Sequence, residues 1–226
     1  MSFNIVTRAD DRVVIRNVLV SVFDKTGLVE LITSLVEINP GVRFYSTGGT
    51  AKTIAEIAPG NLVSVSDYTG QPEMQGGLVK TLDFKIHLGL LSETYNDAHR
   101  ADLARAGAVE FDMVIANLYP FKTVVAQAGV TPEQARTNID IGGPCMIRAS
   151  AKNHIRVASV TDPADYDTII SELRANSGKL SLATRFSLMK KAFAHTADYD
   201  TAIAAHFAGI KEPDYVITNS PGVTNL

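Results

Sequence analysis

Tryptophan is absent from this chain and cysteine occurs once, at Cys145. A lone thiol excludes an internal disulfide and fits a reducing compartment. No apolar run is long enough to span a bilayer. The start of the chain lacks the basic residues followed by an apolar stretch that mark a signal peptide. Charge of one sign is also missing: 21 Lys and Arg stand against 24 Asp and Glu, for a net charge of −3. That balance argues against a nucleic-acid surface and gives no reason for membrane attachment. Any cationic cluster is then a local device for a small anion, and a cytoplasmic protein is expected. The HExxH, CxxC and paired His/Cys spacings of metal sites are absent, so no metal is expected. Walker-type and GxGxxG patterns are missing as well, as is a serine nucleophile elbow.

What remains is an ordinary globular composition, 46% apolar and 20% charged over 226 residues. Apolar, β-branched runs alternate with helix-like segments, which predicts an α/β domain with a parallel sheet. The expected strands are 13–22, 42–46, 62–66, 112–117 and, as the last, 157–160. Helices are expected over 27–38, 50–57, 98–106, 163–175 and, continuously, 181–207. Residues 67–85 show no periodicity and read as a long functional loop. One domain over residues 1–210, with a helical C-terminal part, is expected to precede a Pro/Asn/Thr/Ser-rich tail over 211–226.

Three polar motifs fall where strands are expected to end: Asp24-Lys25-Thr26-Gly27, Ser46-Thr47-Gly48-Gly49-Thr50 and Asn117-Leu118-Tyr119-Pro120. In open parallel sheets such ends line the ligand crevice. The amides of Thr47 to Thr50 at a helix start can form a phosphate nest, with Lys25 adding a point charge. A plain loop-to-helix turn is the simpler reading of the Gly-Gly pair taken alone. The stretch from Asn138 to His154 places Asp140 before a Gly-Gly-Pro step that can open a helix, with Gly143 as cap and Pro144 in the first turn. Arg148 and Lys152 follow at helical spacing, a repulsive pair unless something anionic or electron-rich faces them. Lysines such as Lys80 and Lys85 in an irregular segment are usually solvated, and His87, Tyr119 and His195 have packing roles as their simplest explanation.

Seven motifs in order resemble one family: 21–27, 46–52, 66–74, 79–82, 117–121, 138–154 and 191–199. They are similar to the N-terminal IMP cyclohydrolase domain of the bifunctional AICAR transformylase/IMP cyclohydrolase proteins. The resemblance runs from about Val18 to Phe207 and implies an α/β fold similar to methylglyoxal synthase. It also implies a stand-alone, dimeric cyclohydrolase without cofactor or metal. The family reaction closes a formylated carboxamide ribotide to IMP. Carried over by motif, Lys25, Thr47, Gly48, Gly49 and Thr50 would hold the ribotide phosphate. Lys80, Thr81, Asn117, Asp140, Ile141 and Gly142 would lie on the base side. Lys152 paired with Asp140 would move the amide proton, while Lys80 and Tyr119 would serve the formyl oxygen.

The chain departs from the family at Leu78, Asp83 and Phe84, where Arg, His and Pro are usual. Lys85, His87 and Arg148 are candidate replacement donors. Two other readings stay open: another methylglyoxal-synthase-like enzyme acting on a triose phosphate, and a non-catalytic purine-nucleotide sensor.

Overall fold

A computed structural model describes residues 5–72 and 80–210. They fall into two compact units, the described residues of 5–118 with 140–197, and 119–139 with 198–210. The tail over 211–226 and Leu78 lie outside the described residues.

The first unit is organised by a parallel sheet of β2 (Asn17–Ser21), β3 (Arg43–Ser46), β4 (Leu62–Ser64), β5 (Met113–Ala116) and β6 (Ala158–Val160), in the order β4-β3-β2-β5-β6. Its central strand β2 alternates between two buried faces. Val18 and Val20 pack with Leu28, Leu31, Ile32 and Leu35 of α1 (Leu28–Ile38) and with Ile169, Ile170 and Leu173 of α9 (Tyr166–Ala175). The i, i+3, i+4, i+7 spacing in α1 gives that helix one apolar stripe. The opposite face is covered by α8 (Gly142–Lys152), itself packed on α4 (Phe84–Leu91). Helices α2 (Gly48–Ile57), α3 (Val65–Thr69), α5 (Asp97–Ala106) and the first part of α10 (Leu182–Ala208) complete this unit. The second unit contains α6 (Phe121–Val125), α7 (Pro132–Thr137) and the end of α10, where Phe121 packs on Tyr199, His206 and Phe207.

Several expectations need correction. The run 13–22 is not one strand: β1 (Arg12–Val14) pairs antiparallel with β7 (Lys179–Ser181), in a separate sheet. The break has a distant cause, because the buried Asp112 carboxylate accepts from Arg16 N and Asn17 N, both at 2.9 Å. Burial pushes the Asp112 pKa up, and the Arg156 guanidinium, 2.5 Å away, opposes that shift. Strand β7 follows 158–160, which is therefore not the last strand. Residues 67–85 do not form a loop throughout, since α3 ends at Thr69 and α4 starts at Phe84, capped by Asp83 Oδ1 accepting from Lys85 N.

Arg185, on α10, is fully buried and donates to five carbonyls, those of Asp10, Asp11, His154, Ile155 and Leu180. Burial lowers its pKa. Five carbonyl dipoles solvate the charge directly, and the carboxylates of Asp10 and Asp11 oppose the effect of burial. Arg185→Met would strand several of those oxygens, each worth about 1–3 kcal/mol when buried and unpaired. We expect a loss of about 3 kcal/mol or more, read as a lower urea midpoint with the slope unchanged.

Candidate active site

Parallel pairing brings the ends of β2, β3 and β5 to one edge, with Val20 opposite Ser46 and Ser21 opposite Ala116. The loops that leave this edge carry the three polar motifs. After β3, Thr47 caps α2 in an extended conformation and the first intrahelical amide bond is Ala51 N to Thr47 O, at 3.2 Å. The amides of Gly48, Gly49 and Thr50 therefore occupy the first turn, where a helix has no acceptor of its own. Gly48 has φ +57, a left-handed conformation that side chains disfavour.

Two lysines stand over this helix start. A side-chain carbon placed at Gly48 would lie 3.1 Å from Lys80 Nζ, and one at Gly49 would lie 3.9 Å from Lys25 Nζ. The Lys25 ammonium also donates to Phe23 O, at 3.5 Å. Two cations over the positive end of a helix repel one another, an arrangement that a phosphate dianion stabilises. The Lys80 turn continues to Thr81, which is buried, and Thr81 Oγ1 would lie 2.8 Å from a side-chain carbon at Gly142. The start of α8 thus joins the same cluster. Its carboxylate Asp140 Oδ1 accepts from Gly143 N at 2.9 Å, while Ile141 is the capping position and Gly142 the first helical residue. This moves the expected cap at Gly143 back by two residues. Ile141 is exposed at this edge.

The loop carrying Lys25 is tightly built. Asp24 Oδ1 accepts from Thr26 N and Thr26 Oγ1, at 2.9 and 2.7 Å, and the Thr26 hydroxyl bond is the main reason its pKa is lowered. Behind the loop, the Tyr166 ring comes within 3.2 Å of the space a side chain at Gly27 would fill, and burial pushes its phenol up to about 12, with Asp24 and Asp162 adding to the shift.

Lys25, Thr47, Gly48, Gly49, Thr50, Lys80, Thr81, Asn117, Asp140, Ile141 and Gly142 all belong to the first unit, around this edge. Tyr119 begins the second unit and is 46% exposed. The expected pairing of Lys152 with Asp140 is not formed. The two residues lie at opposite ends of α8, and a helix from Gly142 to Lys152 rises about 15 Å. Lys152 is solvent-exposed there, on the same side as Arg148, whose guanidinium lies 5.6 Å over the Phe193 ring. The other two candidate donors are also engaged. Lys85 Nζ donates to Tyr68 O at 2.9 Å, and His87 Nδ1 lies 3.1 Å from Asp83 O. Phe84 is 70% exposed. Among the described residues no cluster of His, Cys, Asp or Glu is arranged to hold a metal ion, and no helix is long and apolar enough to cross a membrane.

The parallel sheet with two lysines over a helix start at its edge defines a class, and residues 27–145 match the family model of the MGS-like domain. The chain belongs to that family. Residues 150–224 match a second model, the AICARFT/IMPCHase bienzyme. The chain is 47% identical over 210 residues to the bifunctional purine biosynthesis protein PurH of Neisseria gonorrhoeae (strain NCCP11945), covering 93% of this chain and 39% of that protein. It is 47% identical over 198 residues to PurH of Sorangium cellulosum (strain So ce56), covering 88% of this chain and 37% of that one. The chain thus spans about two fifths of the length of these relatives. A crystal structure of ForH superposes with a TM-score of 0.71 at 29% identity, covering 85% of this chain and 99% of that one.

The conformation of Gly48 predicts the behaviour of Gly48→Ala. A β-carbon in left-handed backbone costs about 1–2 kcal/mol, and here it also displaces the Lys80 ammonium. The backbone strain should appear as a loss of about 1–2 kcal/mol in stability, read as a lower urea midpoint with the slope unchanged.

Proposed function

We propose that this chain is an IMP cyclohydrolase acting in the last step of purine nucleotide synthesis, with residues 1–210 as the working domain. The observation that carries the reading is the cluster of Lys25, Lys80, Thr81 and Gly142 around the Gly48–Gly49 helix start, in a chain 47% identical to PurH. The substrate is the ribotide of 5-formamidoimidazole-4-carboxamide. Its carboxamide nitrogen attacks the formyl carbon, a C–N bond forms, and the formyl oxygen leaves as water. No oxidant, cofactor or metal enters that balance. The reaction is intramolecular, so the protein contributes by holding the two groups in a reactive pose and supplying proton donors.

In this reading Lys25 and the amides of Thr47 to Thr50 hold the phosphate. Lys80 reaches past the phosphate to the formyl oxygen, which gains charge as it leaves. Thr81, Ile141 and Gly142 line the base side, and on its motif alone Tyr119 is the second donor. Asp140 contributes by fixing the start of α8. Lys152 remains the acceptor of the amide proton, but at the far end of α8 it can serve only the site of a second copy, which the homodimer of this reading provides. The protein is placed in the cytoplasm, where its nucleotide substrate is made.

The direct test is IMP formation from the formylated ribotide, followed by absorbance. Lys152→Ala should abolish turnover and leave IMP affinity within about tenfold, because a proton-transfer group contributes mainly in the transition state. Mixing inactive Lys152→Ala with inactive Lys80→Ala should restore about a quarter of wild-type activity, the share of intact sites in a randomly exchanged two-fold dimer. No recovery would place Lys152 outside the chemistry of a shared site. Binding of IMP without turnover in the wild type would favour a nucleotide sensor.

The same reading gives the chain no transformylase activity. Incubation with 10-formyltetrahydrofolate and the unformylated ribotide should leave both unchanged by chromatography, and folate-dependent formylation would refute that part.

A further inference from the structure

Thr50 and Asn117 are expected substrate contacts, yet their side chains are committed to the loop that carries Lys25. Asn117 Oδ1 accepts from Phe23 N at 2.7 Å and from Asp24 N at 2.9 Å, and its Nδ2 donates to Asp24 O at 2.8 Å. From the other side, Thr50 Oγ1 accepts from Val22 N at 3.2 Å and donates to Val22 O at 3.1 Å. Three consecutive residues are thus gripped by five hydrogen bonds, one group from the end of β5 and one from the first turn of α2. The fourth residue is Lys25. Beyond it the Asp24–Thr26 bonds and Leu28 N to Lys25 O, at 3.1 Å, fix the exit of the loop.

We infer that Asn117 and Thr50 are positioning residues: they hold the Val22–Asp24 backbone so that the Lys25 ammonium stands over the Gly48–Gly49 helix start. Thr50 is the natural partner in this grip, because the helix whose amides face the anion also supplies the hydroxyl that fixes the cation. One element then sets both halves of the cradle. The inference rests on the phosphate role of this cluster and on the cyclohydrolase reading. It differs from a base contact by Asn117 in one measurable way. A group acting through Lys25 affects only the phosphate part of binding, whereas a base contact affects nucleotide and nucleoside alike.

The experiment titrates IMP, inosine and inorganic phosphate against the full chain and its variants, with melting temperatures as the check on folding. Asn117→Ala and Thr50→Val should each weaken IMP and phosphate about 10–100-fold, the range of one charge-assisted hydrogen bond, and leave inosine within about twofold. Thr50→Ser keeps the hydroxyl and should bring IMP affinity back to within about threefold of wild type. Adding Asn117→Ala to Lys25→Met should cost no more than about twofold beyond Lys25→Met alone, since coupled residues are not additive. Equal losses for IMP and inosine, or additive losses in the double variant, would overturn the inference, as would unchanged IMP affinity. Where inosine binds too weakly to titrate, the double-variant comparison with phosphate decides. If Asn117→Ala does not fold, the Thr50→Val and Thr50→Ser pair decides. Wild-type protein that binds phosphate but not IMP would end the cyclohydrolase reading while the phosphate titrations still judge Asn117. Binding of neither would end both.

Discussion

The parallel register of β3, β2 and β5 is the constraint on which the site depends. With Val20 level with both Ser46 and Ile115, three chain segments leave the sheet within a residue of one another. A slip of one residue would turn Val18 and Val20 away from α1 and α9 and carry Leu19 to the wrong face, so burial on both faces enforces the pairing. The same slip would shift the loops by about 3.3 Å, more than the reach of the hydrogen bonds between Asn117, Thr50 and the Val22–Asp24 backbone. Core packing and the placement of the loops at this edge are therefore set by one register.

Charge is distributed along α8 as a helix dipole favours. Asp140 meets the amide-rich start and Lys152 occupies the last turn, so each charge faces the end of opposite polarity. That arrangement stabilises the helix without any ligand, and it separates by a helix length two residues that are close in sequence. Lys25 and Lys80 are treated the opposite way, since both are brought to the positive end of α2. One helix has charges that complement its dipole, whereas the other gathers two lysines at its positive end.

Elements with long, regular periodicity were legible in the sequence. Helices α1, α9 and α10 and strands β3 and β5 lie close to where the apolar pattern puts them. The strand ends beside the polar motifs were legible too, because the apolar runs stop close to Ser21, Ser46 and Ala116. What escaped depended on distant partners. The split of 13–22 into two strands is imposed by the Asp112 carboxylate more than ninety residues away. Helix α4 is only eight residues long and holds Gly89, which reads as a breaker. That glycine is required because any side chain there would meet Val109 O at 2.2 Å. The pairing of Lys152 with Asp140, implied by the family motif, is not formed within one chain because the helix between them rises about 15 Å. The roles of Asn117 and Thr50 were hidden because a motif gives the residue and not the direction of its side chain.

The pairing of β1 with β7 joins the first and last strands of the first unit, Arg12 opposite Ser181. On the ribosome, where synthesis proceeds from the N-terminus, the first strand must wait until almost the whole domain has emerged before its edge is covered. The backbone pairing of β2, β3, β5 and β6 is complete at Val160, although one face of that sheet still awaits α9. The segment ahead of it, holding Val13 and Ile15, stays uncovered in the interval, and these side chains bury only when the chain closes on itself. The β1–β7 pairing is thus a long-range closure of the kind that slows folding, and until it forms the apolar stretch before β2 has no partner strand.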